Sequence, residues 1–209
     1  MVEVTEELLN VYDPAGHVIG VQPRRLAKAS GCAVGAINLL VANPRGEVLL
    51  QRRPIDKENG GSWDKSVGGH VSAGETFDQA AVREAGEELF DDPAAPQVRL
   101  AGPNQDYAQI RAELDPTRHV VLRQRSLQLN LRDVRQAPGN AGIRNVLYHV
   151  AVYTGHTDIP TAAFRRQAVE VDELRYFGPA AIDRMLLRGE LAPNMAFLWL
   201  THAHELLQP

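Results

Sequence analysis

One stretch constrains this chain more than any other. Gly69 and Gly74 lie in a Gly-rich loop ending at Glu75, and Arg83, Glu84, Glu87 and Glu88 follow on what reads as a helix. Four glutamates and an arginine fall within the fourteen residues from Glu75 to Glu88. At roughly 100° per residue, Phe77, Ala81, Ala85 and Leu89 form one apolar stripe that must be buried. Glu84 and Glu88 stand four residues apart, Glu87 three from Glu84, and they project at the edge of that stripe. A merely solvated acidic face would lie opposite the core. Like charges at this spacing each cost a helix about 0.2–0.5 kcal/mol. Acids in its C-terminal half also oppose the helix dipole, by up to about 1 kcal/mol each. A divalent cation reverses both signs, and hard oxygen ligands at this density suit Mg²⁺ or Mn²⁺. Alone, the triad reads equally as a metal site or as a surface patch.

The loop before it shifts that balance. Gly68, Gly69 and Gly74 allow backbone close to a ligand and unusual dihedrals. Glu75 and Arg83, eight residues apart, can tie loop to helix by an ion pair. Thr76 and Gln79 fit a capping box, Asp78 favours the first turn, and Asp91-Asp92-Pro93 stops the helix near Phe90.

The whole chain sets bounds around this segment. With 209 residues, 44% of them hydrophobic, one good core is expected. The net charge of -4 and pI of about 6 leave no basic footprint for nucleic acid. The single Cys32 excludes an internal disulfide framework and a Cys-based zinc site; it reads as a small core residue. No apolar run approaches the roughly 18 residues of a membrane span. The acidic start lacks the regions of a signal peptide, so a cytoplasmic protein is expected.

Leu8–Val11 and Val18–Val21 around Asp13-Pro-Ala-Gly16 predict an N-terminal hairpin within an extension over residues 1–30. Pro23, Arg24 and Arg25 lead to a break at Lys28-Ala-Ser-Gly31. Ala36–Val41 and Glu47–Arg52 around Asn43-Pro-Arg-Gly46 predict a second hairpin. Residues 57–62 read as a loop. Further strands are expected over 97–101, 120–134, 146–153 and 171–177, with a loop at Pro138–Gly142. Helices are expected over 105–114, 179–188 and 194–207, the last capped by Asn194.

The Gly69-to-Glu88 segment resembles the Nudix box: Gly, five residues, Glu, seven residues, Arg-Glu, apolar, any, Glu-Glu, any, Gly, apolar. Gly69, Glu75, Arg83, Glu84, Ala85, Glu87 and Glu88 match in spacing over a box spanning 69–91. The runs Gly46–Arg53 and Trp63–Val71, and the Tyr12-Asp-Pro-Ala-Gly16 hairpin, are similar to the isopentenyl-diphosphate isomerase-like branch. The resemblance implies an α/β (α+β) Nudix fold, a mixed sheet between helices, as a single domain over 1–209. It implies Mg²⁺, with Mn²⁺ as an alternative, held by Glu84, Glu87, Glu88 and the Gly68 carbonyl. Glu75 and Arg83 would form a structural salt bridge. Glu87 and Glu88 would take the catalytic roles, bound metal polarising a diphosphate and activating water while a carboxylate acts as base. Two departures stand out. The closing Gly and apolar residue of the box are Phe90 and Asp91. The isomerases also carry a catalytic Cys before the Gly-His pair, where this chain has Gly68, so isomerase activity is disfavoured.

Outside the box, His70 reads as a metal or substrate contact or as a loop histidine that only hydrogen-bonds. Glu170, ahead of a strand, is a candidate general base or a solvated charge. Arg53 could meet substrate phosphates or be a surface residue. From Asn104 to Asn140 there are six arginines against four acids, and residues 102–144 read as either an insertion or a substrate loop. Trp199 belongs to the core or to a homodimer interface. The expected function is Mg²⁺-dependent hydrolysis of a phosphoanhydride bond in a nucleoside diphosphate-linked or other organic pyrophosphate. The partner is that small molecule, with no nucleic acid and no membrane. The alternatives are a non-hydrolytic Nudix-fold binding module and, further off, the isomerase.

Overall fold

Turn chemistry and hydrophobic runs divide the chain into strands and helices much where the sequence predicts them. A computed structural model describes residues 6–136, 143–166 and 170–206. The chain forms two compact units. One comprises Met1–Asn38, Gly69–Ala81 and Arg125–Val152, the other Leu39–Gly68, Val82–Gln124 and Tyr153–Pro209.

In the first unit, β1 (Leu8–Tyr12) and β2 (Val18–Pro23) form the predicted antiparallel hairpin. Gly16, at φ +93°, closes its turn by donating to the Asp13 carbonyl at 3.1 Å, a conformation only glycine adopts without strain. A six-residue helix, α1 (Arg24–Ala29), follows where only a break was expected; Pro23 precedes it and makes no side-chain cap. Ala33 and Val34, at the start of β3 (Ala33–Ala42), pair with Tyr12 and Val11. Leu9, Val11, Ala27, Val34 and Val146 make a buried cluster, and the half-buried Cys32 packs against it. Cys32 thus has the packing role expected of it.

The main sheet has the strand order β10-β4-β3-β9-β8-β7. These are β10 (Glu173–Phe177), β4 (Val48–Arg52), β3, β9 (Ile143–His156), β8 (Val120–Gln136) and β7 (Val98–Ala101). In the second unit, β10 pairs antiparallel with β4, and β7 runs parallel to the start of β8, so the sheet is mixed. β5 (Trp63–Asp64) adds to β4 with Gln51 opposite Asp64, and β6 (Val67–His70) pairs with β3. Gly46, at φ +74°, closes the β3–β4 turn onto Asn43. The Ser66 hydroxyl donates to the Leu49 carbonyl and accepts from the Val41 amide at 2.8 Å, tying the loop before β6 to both strands. Leu39, Leu40, Leu49, Leu50, Leu89, Leu122, Tyr153, Ile182 and Leu198 are fully buried.

The helices are α2 (Phe77–Phe90), α3 (Tyr107–Glu113), α4 (Pro179–Arg188) and α5 (Pro193–Leu206). α5 starts at Pro193, so Asn194 lies inside its first turn and is not the cap; proline is well suited to that position because its missing N–H would be unsatisfied anyway. Trp199 is buried and its indole N–H donates to Asp183 at 2.8 Å, which makes it a core residue. The 102–144 segment is largely α3 and β8, built into the sheet where it follows β7. The expected loop at Pro138–Gly142 lies outside the described residues.

Candidate active site

The loop half of the box belongs to the first unit. Asn10, buried in β1, uses both ends of its amide there: Nδ2 donates to the Glu75 carbonyl and Oδ1 accepts from the Gly74 amide, each at 3.0 Å. Gly74, at φ +80°, makes the turn that this bracket requires. The Glu75 carboxylate accepts from the Ser72 amide at 3.1 Å. The capping box forms as predicted: Gln79 Oε1 accepts from the Thr76 amide at 2.8 Å, and Thr76 Oγ1 accepts from the Gln79 amide at 3.2 Å. His70 lies beside Tyr148, ring centroids 6.2 Å apart, with the Lys28 ammonium 5.8 Å from the same tyrosine ring.

The carboxylates belong to the second unit. Ala85 and Leu89 are fully buried, so the edge of the stripe carries Glu88 inward to 7% exposure. Gln51 Nε2 donates to Glu88 Oε2 at 3.0 Å, and the Gly68 amide also donates to Glu88. Burial, first, and then the Glu84 charge push the Glu88 carboxyl up to about 8, while Lys65 and the Gly68 amide pull against that rise. The Arg83 guanidinium spans the other two acids through Nη1, 2.9 Å from Glu84 and 3.1 Å from Glu87.

Beside Glu88 sits a charged pair that sequence reasoning missed. Asp64 and Lys65 are 3% and 7% exposed. Asp64 accepts from the Lys65 amide at 2.8 Å, and Arg53 Nη1 reaches it at 3.2 Å. Burial is the largest influence on Asp64 and pushes upward, yet Lys65, its amide and Arg53 together hold the carboxyl below its ordinary value. The one available signal was two adjacent charges flanked by Trp63 and Val67. Arg53, expected at substrate phosphates, also donates to the Glu58 carbonyl. Glu170 pairs with Lys57 at 2.8 Å. Four residues further on, Leu174 is the register partner of Gln51.

Among the described residues no group of three or more His, Cys, Asp or Glu side chains is gathered as a metal cage. The donor chemistry nevertheless fits a divalent cation. Two carboxylates of one helix face interact, one of them buried and poorly tolerated as an anion, and such a pair is relieved by a hard cation. Glu84 and Glu87, in the present geometry, are counter-charged by Arg83.

The helix exit departs from the box without loss of the helix. Asp91, at φ +53°, takes the left-handed conformation usually left to glycine, and its amide donates to the Glu87 carbonyl at 3.0 Å. The Asp92 amide returns to the Gly86 carbonyl at 3.1 Å. A Cβ on Gly86 would lie 2.3 Å from the Asp92 carbonyl oxygen, so this glycine admits the returning chain.

The fold is mixed α+β, with a glycine-rich loop leading into a helix that carries Glu84, Glu87 and Glu88, the arrangement of the Nudix class. The NUDIX domain family matches residues 33–196, and the chain belongs to that family. Over 81 residues it is 40% identical to an isopentenyl-diphosphate Δ-isomerase of Halorhodospira halophila, covering 38% of this chain and 46% of that one. Over 85 residues it is 38% identical to the Nudix hydrolase SCO1686 of Streptomyces coelicolor, covering 40% and 47%. These matches span a little under half the length of those relatives. Among solved structures, DR0079 from Deinococcus radiodurans superposes with a TM-score of 0.62 at 19% identity, over 97% of this chain and 100% of that one. The NUDIX domain of Shewanella oneidensis NrtR, complexed with ADP ribose, gives 0.50 at 15% identity, over 84% and 89%. Both share the fold.

Proposed function

We propose that this chain is a divalent-metal-dependent Nudix pyrophosphohydrolase, using Mg²⁺ or, in its place, Mn²⁺. Its substrate would be a nucleoside diphosphate-linked or other organic pyrophosphate. The observation that carries this reading is the buried Glu88, raised by burial and by Glu84 at the matching position of the box. Gln51 and the Gly68 amide hold the Glu88 carboxyl in a fixed direction, as a ligand for a cation requires. Glu84, Glu87, Glu88 and the Gly68 carbonyl would hold the metal, which would supply charge stabilisation at the phosphoanhydride and an activated water. Glu87 and Glu88 carry the catalytic roles in this reading, with Glu170 the candidate base, released from Lys57. Glu75 and Arg83 would form the structural clamp, and Arg53 and His70 are the candidate substrate contacts. The reading places the protein in the cytoplasm, acting on small molecules as a homodimer, without nucleic acid. No described helix is long and apolar enough to cross a membrane.

The isomerase reading is weaker on a specific observation. Position 68 is a glycine and carries no thiol, and the end of the Lys65 side chain lies against it. A second reading, a binding module that does not hydrolyse, draws on the Arg83 bridge across Glu84 and Glu87. Phosphate release from nucleoside diphosphates, nucleotide sugars and thiamine diphosphate, with and without Mg²⁺, separates the readings. Metal-dependent release supports the hydrolase. Tight binding of a panel member without turnover supports the module, and the absence of both turnover and metal binding sinks the enzyme.

A further inference from the structure

Lys65 is an unusual residue to bury beside an acidic centre. Its side chain is 8% exposed, and lysines are almost never buried without a partner that needs their charge. Asp64 alone does not explain it. The Lys65 ammonium stands 3.4 and 3.5 Å from the two Asp64 oxygens, the long end of hydrogen bonding. Asp64 already has the Arg53 guanidinium at 3.2 Å. Two cations therefore face one buried carboxylate.

Gly68 makes the placement possible. A Cβ there would lie 2.0 Å from Lys65 Cε and 2.8 Å from Nζ, so the ammonium end is seated against the bare glycine. The same glycine donates its amide to Glu88. The Lys65 ammonium and the Glu88 carboxyl thus both lie against Gly68.

Building on the metal-dependent reading, we infer that Lys65 is a resident counter-cation of the carboxylate centre, and that a divalent metal binds by displacing its ammonium. Arg83 does the equivalent for Glu84 and Glu87. The lysine offsets negative charge at the centre when metal is absent and lowers the affinity for metal when it is present. It is a competitor for the cation's place and takes no part in the chemistry.

Mn²⁺ binding to the full chain without substrate, followed by electron paramagnetic resonance and by calorimetry, tests this. Lys65→Met and Lys65→Gln, checked for fold by circular dichroism, are expected to bind Mn²⁺ about tenfold more tightly than the wild type, since a nearby like charge is gone. Lys65→Arg keeps the charge and is expected to stay within about threefold of the wild type. Because the neutral variants could fail to fold, ¹⁵N-lysine spectra of the wild type give a second readout. The Lys65 side-chain resonance is expected to shift as Mg²⁺ is added. Wild-type binding with no tightening in either neutral variant, or with a Lys65 resonance that does not move, overturns this inference and leaves the hydrolase reading standing. No binding by the wild type or any variant overturns both.

Discussion

Gln51 in β4 donates to Glu88 in α2 at 3.0 Å, and both side chains are buried. Through this bond the sheet fixes where the last carboxylate of the box sits. Gln51→Leu removes the donor and leaves a buried carboxyl oxygen short of a partner. The loss is expected to cost about 1–3 kcal/mol of stability, read as a lower chemical-denaturation midpoint at unchanged slope. Metal binding should partly restore it, because a cation gives the carboxyl oxygen a new partner.

Glu88→Gln separates chemistry from folding. Glutamine has the same shape and carries no charge to bury, so the metal-free fold should keep or gain stability. Phosphate release should fall by at least about a hundredfold, within the usual range for losing an acid–base group. Retained turnover in a folded Glu88→Gln protein contradicts the role assigned to this residue.

Stability of the metal-free protein should depend on pH through the same carboxyl. Its pKa rises on folding from 4.5 to about 8. Between those values the unfolded chain has released the proton and the folded chain holds it, so stability falls as pH rises. The contribution is whole below about 4.5 and lost by about 8. Melting temperatures measured with a chelator present should decline across this window, and the decline should be shallower in Glu88→Gln. A wild-type profile parallel to that of the variant would refute the assignment.

These effects show which features were legible in the sequence. Phe77, Ala81, Ala85 and Leu89 announce α2 because a buried stripe must repeat at the helical period, and Thr76 with Gln79 announce its start because a capping box is local. Gly16 and Gly46 mark their hairpins for the same reason, since each turn is decided within four residues. Gln51, Asp64 and Lys65 gave no such signal. Their roles arise when β5 pairs with β4 and brings Asp64 opposite Gln51, a register set by tertiary packing. α1 escaped notice because six residues without a side-chain cap leave little periodicity to read. The acids of the box and Arg83 were visible as a set; Lys65, seated against Gly68, was not.

Gly86 carries a sharper prediction than its unremarkable place in the box suggests. The Asp92 carbonyl oxygen would lie 2.3 Å from a Cβ at this position, and it belongs to the backbone, so it cannot swing aside. Gly86→Ala gains helix propensity of about 1 kcal/mol in isolation, but the collision should outweigh that gain. A net loss of roughly 1–3 kcal/mol is expected, as for overpacked sites. Equal or higher thermal stability would show that the helix exit repacks freely.

The exit also yields a change in the opposite direction. Asp91 holds φ +53° although its side chain is exposed, so it bears the cost of a left-handed residue. Glycine adopts that conformation freely and should keep the Asp91 amide bond to Glu87, since the bond is made by the backbone. Asp91→Gly is therefore expected to stabilise the fold by about 0.5–1 kcal/mol, less what glycine gives back in chain entropy. The substitution also removes a negative charge from the helix C-terminus, where the dipole disfavours it. Thermal denaturation of the purified variant checks the sign, and a lowered midpoint would mean that the Asp91 side chain holds the exit in a way its backbone does not.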